Sequence, residues 1–429
     1  MNVRALAFRI LRKYESEKFI SREDVDDVLS VLEDRDRRFL KELVWGVIRK
    51  EELLDWYIDQ LLKKRDIPPA VRVALRMGAY QLLFMDSVPD YAAVNETVKL
   101  LENENFKKLV NAVLRRIKDV PPPKEPHLLY SHPAWIIEYW SSFLPWESVQ
   151  RIMVWNQKPL PVTLRANTLV VDREELLKTL EGEGTKARPC EHSPIGVVVE
   201  KAGIPLQQSR AIKEGLATVQ GEPSQLVPLL FELRPGLKVL DACSSPGGKT
   251  TEIAELMKNE GDILAVDVSF EKVKKVQENC QRLGIKIVRT LVADAERLSQ
   301  FLNEEFDRIL LDVPCSALGT ARSHPEVLRR VKPKLFEEYS EKQLRMLFEA
   351  WKLLKEGGYL IYSTCTVTHE ENRDVLERFS REVPSVEFMD IREKMEMFKV
   401  EGIWDGFGFL MLPDETITPF YVSLLKKIG

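Results

Sequence analysis

Over the first 118 residues the apolar positions recur every three or four residues. Val3, Leu6, Ala7, Ile10, Leu11 and Tyr14 form one stripe. Phe39, Leu40, Leu43, Val44, Val47 and Ile48 form a second, and Phe106, Leu109, Val110, Val113, Leu114 and Ile117 a third. A one-sided apolar stripe is stable only against another, so an all-α bundle with its own core is expected here. The opposite face of the last helix carries Lys107, Lys108, Asn111, Arg115, Arg116 and Lys118. Such a face suits a phosphate backbone, and simple solvation explains it equally well.

The prolines of Pro121-Pro122-Pro123-Lys124-Glu125-Pro126 end the helical pattern, because proline lacks a backbone donor and favours extended chain. From Leu128 to Pro205 the signals mix. A helical stretch rich in Trp and Tyr, from Trp135 to Trp155, precedes a strand at 162–165, a short helix at 172–180 and a strand at 196–200. This reads as a small α+β module. Beyond Leu237 short apolar runs alternate with helices, the pattern of a mostly parallel, Rossmann-like α/β sheet. Strands are predicted at 238–242, 262–266, 286–291, 307–311 and 359–362, and helices at 250–258, 270–283 and 340–354. The chain is therefore divided into 1–126, 127–225 and 226–429.

With 44% apolar and 30% charged residues in a 429-residue chain, the composition is that of a soluble globular protein of several domains. No apolar run is long enough to cross a bilayer, and the start leads into an amphipathic pattern, so a cytoplasmic protein without a membrane partner is expected. The five cysteines (Cys190, Cys243, Cys280, Cys315, Cys365) are scattered and lack metal-ligand spacing, which predicts free thiols and no metal site. A net charge of −4 offers no general attraction for nucleic acid, although residues 1–118 are slightly basic.

The first strand of the C-terminal part runs into Asp241-Ala242-Cys243-Ser244-Ser245-Pro246-Gly247-Gly248-Lys249-Thr250. Two glycines let the backbone approach a ligand, and the following helix start offers unpaired N–H groups. The ending Gly-Lys-Thr is shared with phosphate-binding P-loops, but Cys243 stands where that motif has its first glycine. Asp267 closes the second strand, where an acidic side chain accepts from ribose hydroxyls, and Asp294 follows the third, near an adenine edge. Three such aspartates with a glycine loop point to an adenosine-type ligand. The fourth strand ends in Asp312-Val313-Pro314-Cys315-Ser316, and the fifth in Ser363-Thr364-Cys365-Thr366. Both cysteines stand among polar, loop-forming residues, whereas Cys190, Cys243 and Cys280 suit packing positions.

With Glu370-Glu371-Asn372 after the second cysteine, these motifs together resemble the RNA cytosine-5 methyltransferases of the Nol1/Nop2/Sun group. The front resembles the NusB RNA-binding fold in Leu75-Arg76-Met77-Gly78-Ala79-Tyr80-Gln81-Leu82-Leu83, Val94-Asn95-Glu96-Thr97-Val98 and Val110-Asn111-Ala112-Val113-Leu114. The resemblance implies S-adenosylmethionine as cofactor, held by Cys243, Ser244, Ser245, Pro246, Gly247, Gly248 and Lys249, with Asp267 on the ribose, Asp294 by the adenine and Asp312 at the methyl-donor end. It implies a cytosine of 16S ribosomal RNA, free or partly assembled, as substrate; a monomer is expected. It also implies Cys365 as nucleophile and Cys315 as the cysteine of product release; spacing alone leaves the two symmetrical. Carbon 5 of cytosine becomes nucleophilic only after a thiolate adds at carbon 6, so the chemistry needs Cys365 ionised, with Lys249 as a nearby positive charge. A base must then remove the carbon 5 proton, while Asp312 holds the amino group. The target must be unpaired or flipped out, with Arg165, Lys107, Lys108, Arg115 and Arg116 as candidate RNA contacts. Thr418-Pro419-Phe420 replaces a Gly-Phe pair common before the last strand, a change expected to concern only the C-terminal edge.

Overall fold

The computed structural model describes residues 2–20, 25, 28–29 and 32–428. The chain divides into two compact units, 1–158 with 321–331, and 159–320 with 332–429. The predicted helical stripes all lie on helices of the first unit: Val3–Glu17, Asp34–Arg49 and Glu104–Leu114, with Ile117 in a short 3-10 turn. The Asn2 side chain caps the first helix by accepting from the N–H groups of Arg4 and Ala5, and Asn103 caps the last in the same way. Helix Pro69–Phe84 is buried almost throughout, since the others pack around it. It carries one charge into the interior. Arg76, 6% exposed, pairs with Asp55, Glu15 and Glu51.

The Trp- and Tyr-rich stretch is two helices, Ala134–Ser141 and Trp146–Asn156, because Pro145 cannot continue the first and instead opens the second. Segment 321–331 packs within this same unit. Arg322 is 2% exposed, donates to the Lys158 carbonyl at 3.1 Å and lies over Trp155, while Arg329 reaches the Ser131 carbonyl at 3.2 Å and the carboxylates of Glu51 and Glu52.

The second unit opens with a four-stranded antiparallel sheet in the order β2-β3-β1-β4: β1 (Val162–Ala166), β2 (Lys186–Pro189), β3 (Gly196–Lys201) and β4 (Ala217–Val219). Helix Arg173–Gly182, started by a capping box between Asp172 and Glu175, packs Leu176 and Leu180 on Leu164, Ala166, Val197 and Val199. Strands β2 and β4 were not expected. At three to four residues, each is too short to show an alternation.

A nine-stranded sheet follows, in the order β11-β12-β13-β9-β8-β5-β6-β7, with β10 on β13. Strands β5 (Lys238–Asp241), β6 (Asp262–Asp267), β7 (Val288–Val292), β8 (Phe306–Asp312) and β9 (Leu354–Thr364) are parallel, and β10 (Val386–Met389), β11 (Gly402–Trp404), β12 (Phe409–Met411) and β13 (Phe420–Lys427) add antiparallel pairs. β9 is longer than predicted, since a register shift beside Gly357 and Gly358 lets the strand continue through what reads as a turn. Helix Pro333–Lys352 likewise starts earlier, with proline at its first position. The final strand is not an edge: β13 is hydrogen-bonded between β9 and β12, so Thr418-Pro419-Phe420 enters the middle of the sheet. Strand order reverses between β5 and β8, and ligands bind such sheets at that reversal, beyond the strands' carboxyl ends.

Candidate active site

The strand ends decide which side chains meet. β5 ends on Asp241, β6 on Asp267 and β8 on Asp312, Asp294 stands two residues past β7, and Cys365 follows β9 directly. Between β5 and helix Gly248–Leu256 the loop turns through Gly247 at φ 102°, where a side chain would also press on the Val276 backbone at 3.2 Å. Ser244 ties the loop to β6 through two bonds to the Val266 carbonyl, and the Ser245 N–H donates to Asp267 at 3.0 Å.

A cavity of about 450 Å³ opens at these ends, lined by Cys243, Ser245, Asp267, Asp294, Asp312, Pro314 and Tyr339, among others. A smaller one of about 220 Å³ adjoins it along Asp241, Ser244, Pro246, Gly248, Lys249 and Gln220. Asp241 is 1% exposed. One of its oxygens accepts from the Thr250 hydroxyl at 2.6 Å and the other has no partner; burial, with Asp312 nearby, pushes its carboxyl up to about 7. Asp267 also accepts from the Val268 N–H and pairs with Lys272 at 3.1 Å, and Asp294 caps the following 3-10 turn through the Glu296 N–H.

Lys249 does not point along a phosphate loop. Its ammonium donates to Asp312 at 2.6 Å, and Thr250 bonds Asp241, so the two residues that serve phosphate and Mg²⁺ in a P-loop are both engaged by carboxylates. Burial weakens the lysine's charge, but Asp312 more than offsets this and raises its pKa, with Asp241 and Cys365 contributing. The other Asp312 oxygen accepts from the Ser363 hydroxyl at 2.7 Å.

The two loop cysteines meet. Cys315 and Cys365 have their sulfurs 3.2 Å apart, and both are half-buried. The Cys315 thiol is raised well above its ordinary range, first by its bond to Cys365 and then by burial. Burial also raises Cys190, Cys243 and Cys280, which keeps those three as neutral thiols. Gly319 brings the loops together: its N–H donates to the Cys365 carbonyl at 3.0 Å, and a side chain there would stand 2.2 Å from the Pro419 carbonyl oxygen.

One expected contact is overturned. Arg165 is 0% exposed and cannot meet RNA; it donates to the Gly248 carbonyl at 2.6 Å and pairs with Glu255 at 2.5 Å and Glu252 at 3.4 Å, bracing the helix behind the glycine loop. Its charged partners lie more than eighty residues away, so its sequence surroundings gave no sign of them. Sequence reasoning counted Asp241 among the strand-end acids without giving it a role of its own, and passed over Gln220 and Tyr339 as lining residues, for which the sequence held no signal.

Residues 228–426 match the family of 16S rRNA methyltransferase RsmB/F, residues 1–119 the NusB family, and residues 132–207 the ferredoxin-like domain of RsmF/B-like methyltransferases. The probable ribosomal RNA small subunit methyltransferase B of Bacillus subtilis is 34% identical over 100% of this chain and 99% of its own. The chain belongs to the RsmB/F family. The ribosomal RNA small subunit methyltransferase B of Salmonella newport is 33% identical over 92% of this chain and 91% of its own. Among solved structures, that of PH0851 superposes with a TM-score of 0.81 at 27% identity over 99% of both chains, and a methyltransferase homologue from Pyrococcus horikoshii with 0.58 at 26% identity over 71% of this chain and 98% of that one. As an RsmB/F methyltransferase the protein uses S-adenosylmethionine. The residues fit that cofactor: acidic side chains line the cavity for a sulfonium cation and ribose hydroxyls, Gly247 lets the backbone close in, and the unpartnered oxygen of Asp241 is a ready acceptor. Among the described residues no helix is long and apolar enough to cross a membrane.

Proposed function

We propose that this methyltransferase acts on carbon 5 of a cytosine in 16S rRNA through a covalent adduct. The observation that carries the reading is the 3.2 Å approach of the Cys315 and Cys365 sulfurs beside Lys249, Asp312 and the cavity. Carbons 5 and 6 are neighbours on the ring, and two thiols this close can serve both.

Cys365 adds through sulfur to carbon 6, which turns the ring into an enamine with nucleophilic carbon 5. S-adenosylmethionine, when bound, supplies an electrophilic methyl group on a sulfonium. Bonding of the Cys365 sulfur to carbon 6 removes the neighbour that most holds the Cys315 proton; Cys315 gives that proton to solvent and takes the one from carbon 5, so that the 5,6 double bond re-forms and the Cys365 sulfur leaves, giving 5-methylcytosine. Asp312, which accepts from Lys249 and Ser363, holds the cytosine amino group. Lys249 stays charged and stabilises negative charge that develops on the ring. Cys243, Ser245, Asp267 and Asp294 hold the cofactor.

A cytosine within a duplex hides carbon 6, so the base is taken unpaired or flipped out. The basic face with Lys107, Lys108, Arg115 and Arg116 supplies phosphate contacts. The two B-type methyltransferase relatives, named for the small ribosomal subunit, support 16S rRNA as substrate. Incubation with labelled S-adenosylmethionine and unmethylated 16S rRNA, followed by nucleoside mass spectrometry, should yield 5-methylcytosine at one position. Label on another base or another atom of cytosine would refute the reading.

A further inference from the structure

Glu371 is a fully buried carboxylate that no step above uses. One of its oxygens accepts from the Ser316 N–H at 2.9 Å and from the Gln343 amide at 3.0 Å. The other accepts from the Ser316 hydroxyl and from Thr368 at 3.1 Å. The same Gln343 amide also donates to the Pro314 carbonyl at 3.0 Å, so the bonds close on the residues immediately before and after Cys315. Tyr362 completes the cage, donating to the Glu371 carbonyl at 2.6 Å. All four donors to the carboxylate are neutral, and burial raises its pKa.

The Cys365 loop is held by other bonds. Thr364 donates to Asn372 at 2.6 Å, and Asn372 to the Thr366 carbonyl at 3.2 Å. Removing the Glu371 side chain therefore takes away the grip on both sides of Cys315 and leaves the attacking cysteine's anchors in place, together with the bonds from the Cys315 loop to Thr366 and to the Cys365 carbonyl.

We propose that Glu371 is a positioning residue for the release step: by gripping Ser316 and, through Gln343, Pro314, it keeps the Cys315 sulfur over the target carbon. The proposal rests on the assignment of Cys315 to release. Misplacement of a reacting group by about 1 Å costs on the order of 100-fold in rate. Glutamine should serve nearly as well. Its carbonyl can accept from the two N–H donors, and its amide can donate to the two hydroxyls, which are able to accept.

The test uses the full-length protein with S-adenosylmethionine and unmethylated 16S rRNA fragments, reading turnover and denaturant-resistant protein–RNA adduct together. Glu371→Ala should lose on the order of 100-fold in turnover and accumulate adduct, as Cys315→Ala does; Glu371→Gln should turn over like wild type without adduct. Wild-type turnover in Glu371→Ala, or lost turnover without adduct, overturns the proposal. So does adduct in Glu371→Gln, which would make the carboxylate a proton acceptor. If Glu371→Ala does not fold, Gln343→Leu, which cuts the bond to Pro314 and leaves those of Thr366 intact, decides, with slower turnover plus adduct in favour and any other result against. Cys315→Ala separates the two failures: no adduct there refutes the cysteine assignment, whereas adduct there without adduct in Glu371→Ala refutes only the positioning role.

Discussion

The helical unit and the catalytic unit both bury carboxylates and treat them oppositely. Glu51, 5% exposed, is met by Arg76 at 3.2 Å, Lys18 at 3.0 Å, Arg329 and the Tyr14 hydroxyl. Burial alone would raise its pKa, but these partners outweigh it and hold the carboxyl down at about 2. Asp241, bonded by the Thr250 hydroxyl, is pushed up by burial to about 7; Glu252 shares Arg165 with Glu255, and burial pushes it up to about 8. Complete pairing marks an architectural charge. The raised carboxyl of Asp241 at the end of β5 marks a place kept for a ligand or a proton.

The comparison breaks first at Lys249. Lys249→Met should lower methyl transfer by two to four orders of magnitude, roughly the range for charge stabilisation and proton handling in a dry site, while the melting temperature changes little. A loss confined to the cofactor's dissociation constant would instead make this lysine a binding residue. Arg76→Met should act the other way. It strands Glu51, Glu15 and Asp55, and removing one partner of a buried pair costs about 3–5 kcal/mol, visible in denaturant melts of the full chain. An unchanged midpoint would show that the network is not architectural.

The pH dependences should also oppose each other. Glu51 ionises near 2 when folded and near 4.5 when unfolded, so its contribution, roughly 3 kcal/mol, is present above about 4.5 and is lost as pH falls toward 2. Hydrogen-exchange protection factors in the helical core, corrected for the intrinsic exchange rate at each pH, should fall over that window. Asp241 is protonated more readily folded than unfolded, so it favours the folded state least above about 7. Asp241→Asn should therefore gain stability relative to wild type between pH 5 and pH 8, and a constant difference would contradict the buried, raised carboxyl. The smallest effect belongs to the surface: the Lys118–Asp90 pair is more than half exposed, and Lys118→Ala should change stability by no more than about 0.5 kcal/mol. A larger loss would give that face a structural role.

Much of this was legible in local pattern. The three apolar stripes lie on helices, and the acids and thiols at predicted strand ends converge because a parallel sheet aligns its carboxyl ends. What stayed hidden depends on distant partners. Arg165 looks like a surface RNA contact until the sheet folds it onto Glu252 and Glu255. Glu371 reads as part of a motif, and only the fold brings Ser316 to it. Segment 321–331, between the two cysteine motifs, shows no periodicity that would send it into the helical unit, and β13 sits inside its sheet because strands of three residues, β11 and β12, cover it.

The unequal roles of the two touching thiols are the central claim, and adduct formation tests them directly. With unmethylated 16S rRNA and S-adenosylmethionine, Cys315→Ala should leave protein and RNA joined under denaturing conditions, and Cys365→Ala should show no adduct and no methyl transfer. Adduct in Cys365→Ala with none in Cys315→Ala would contradict the account.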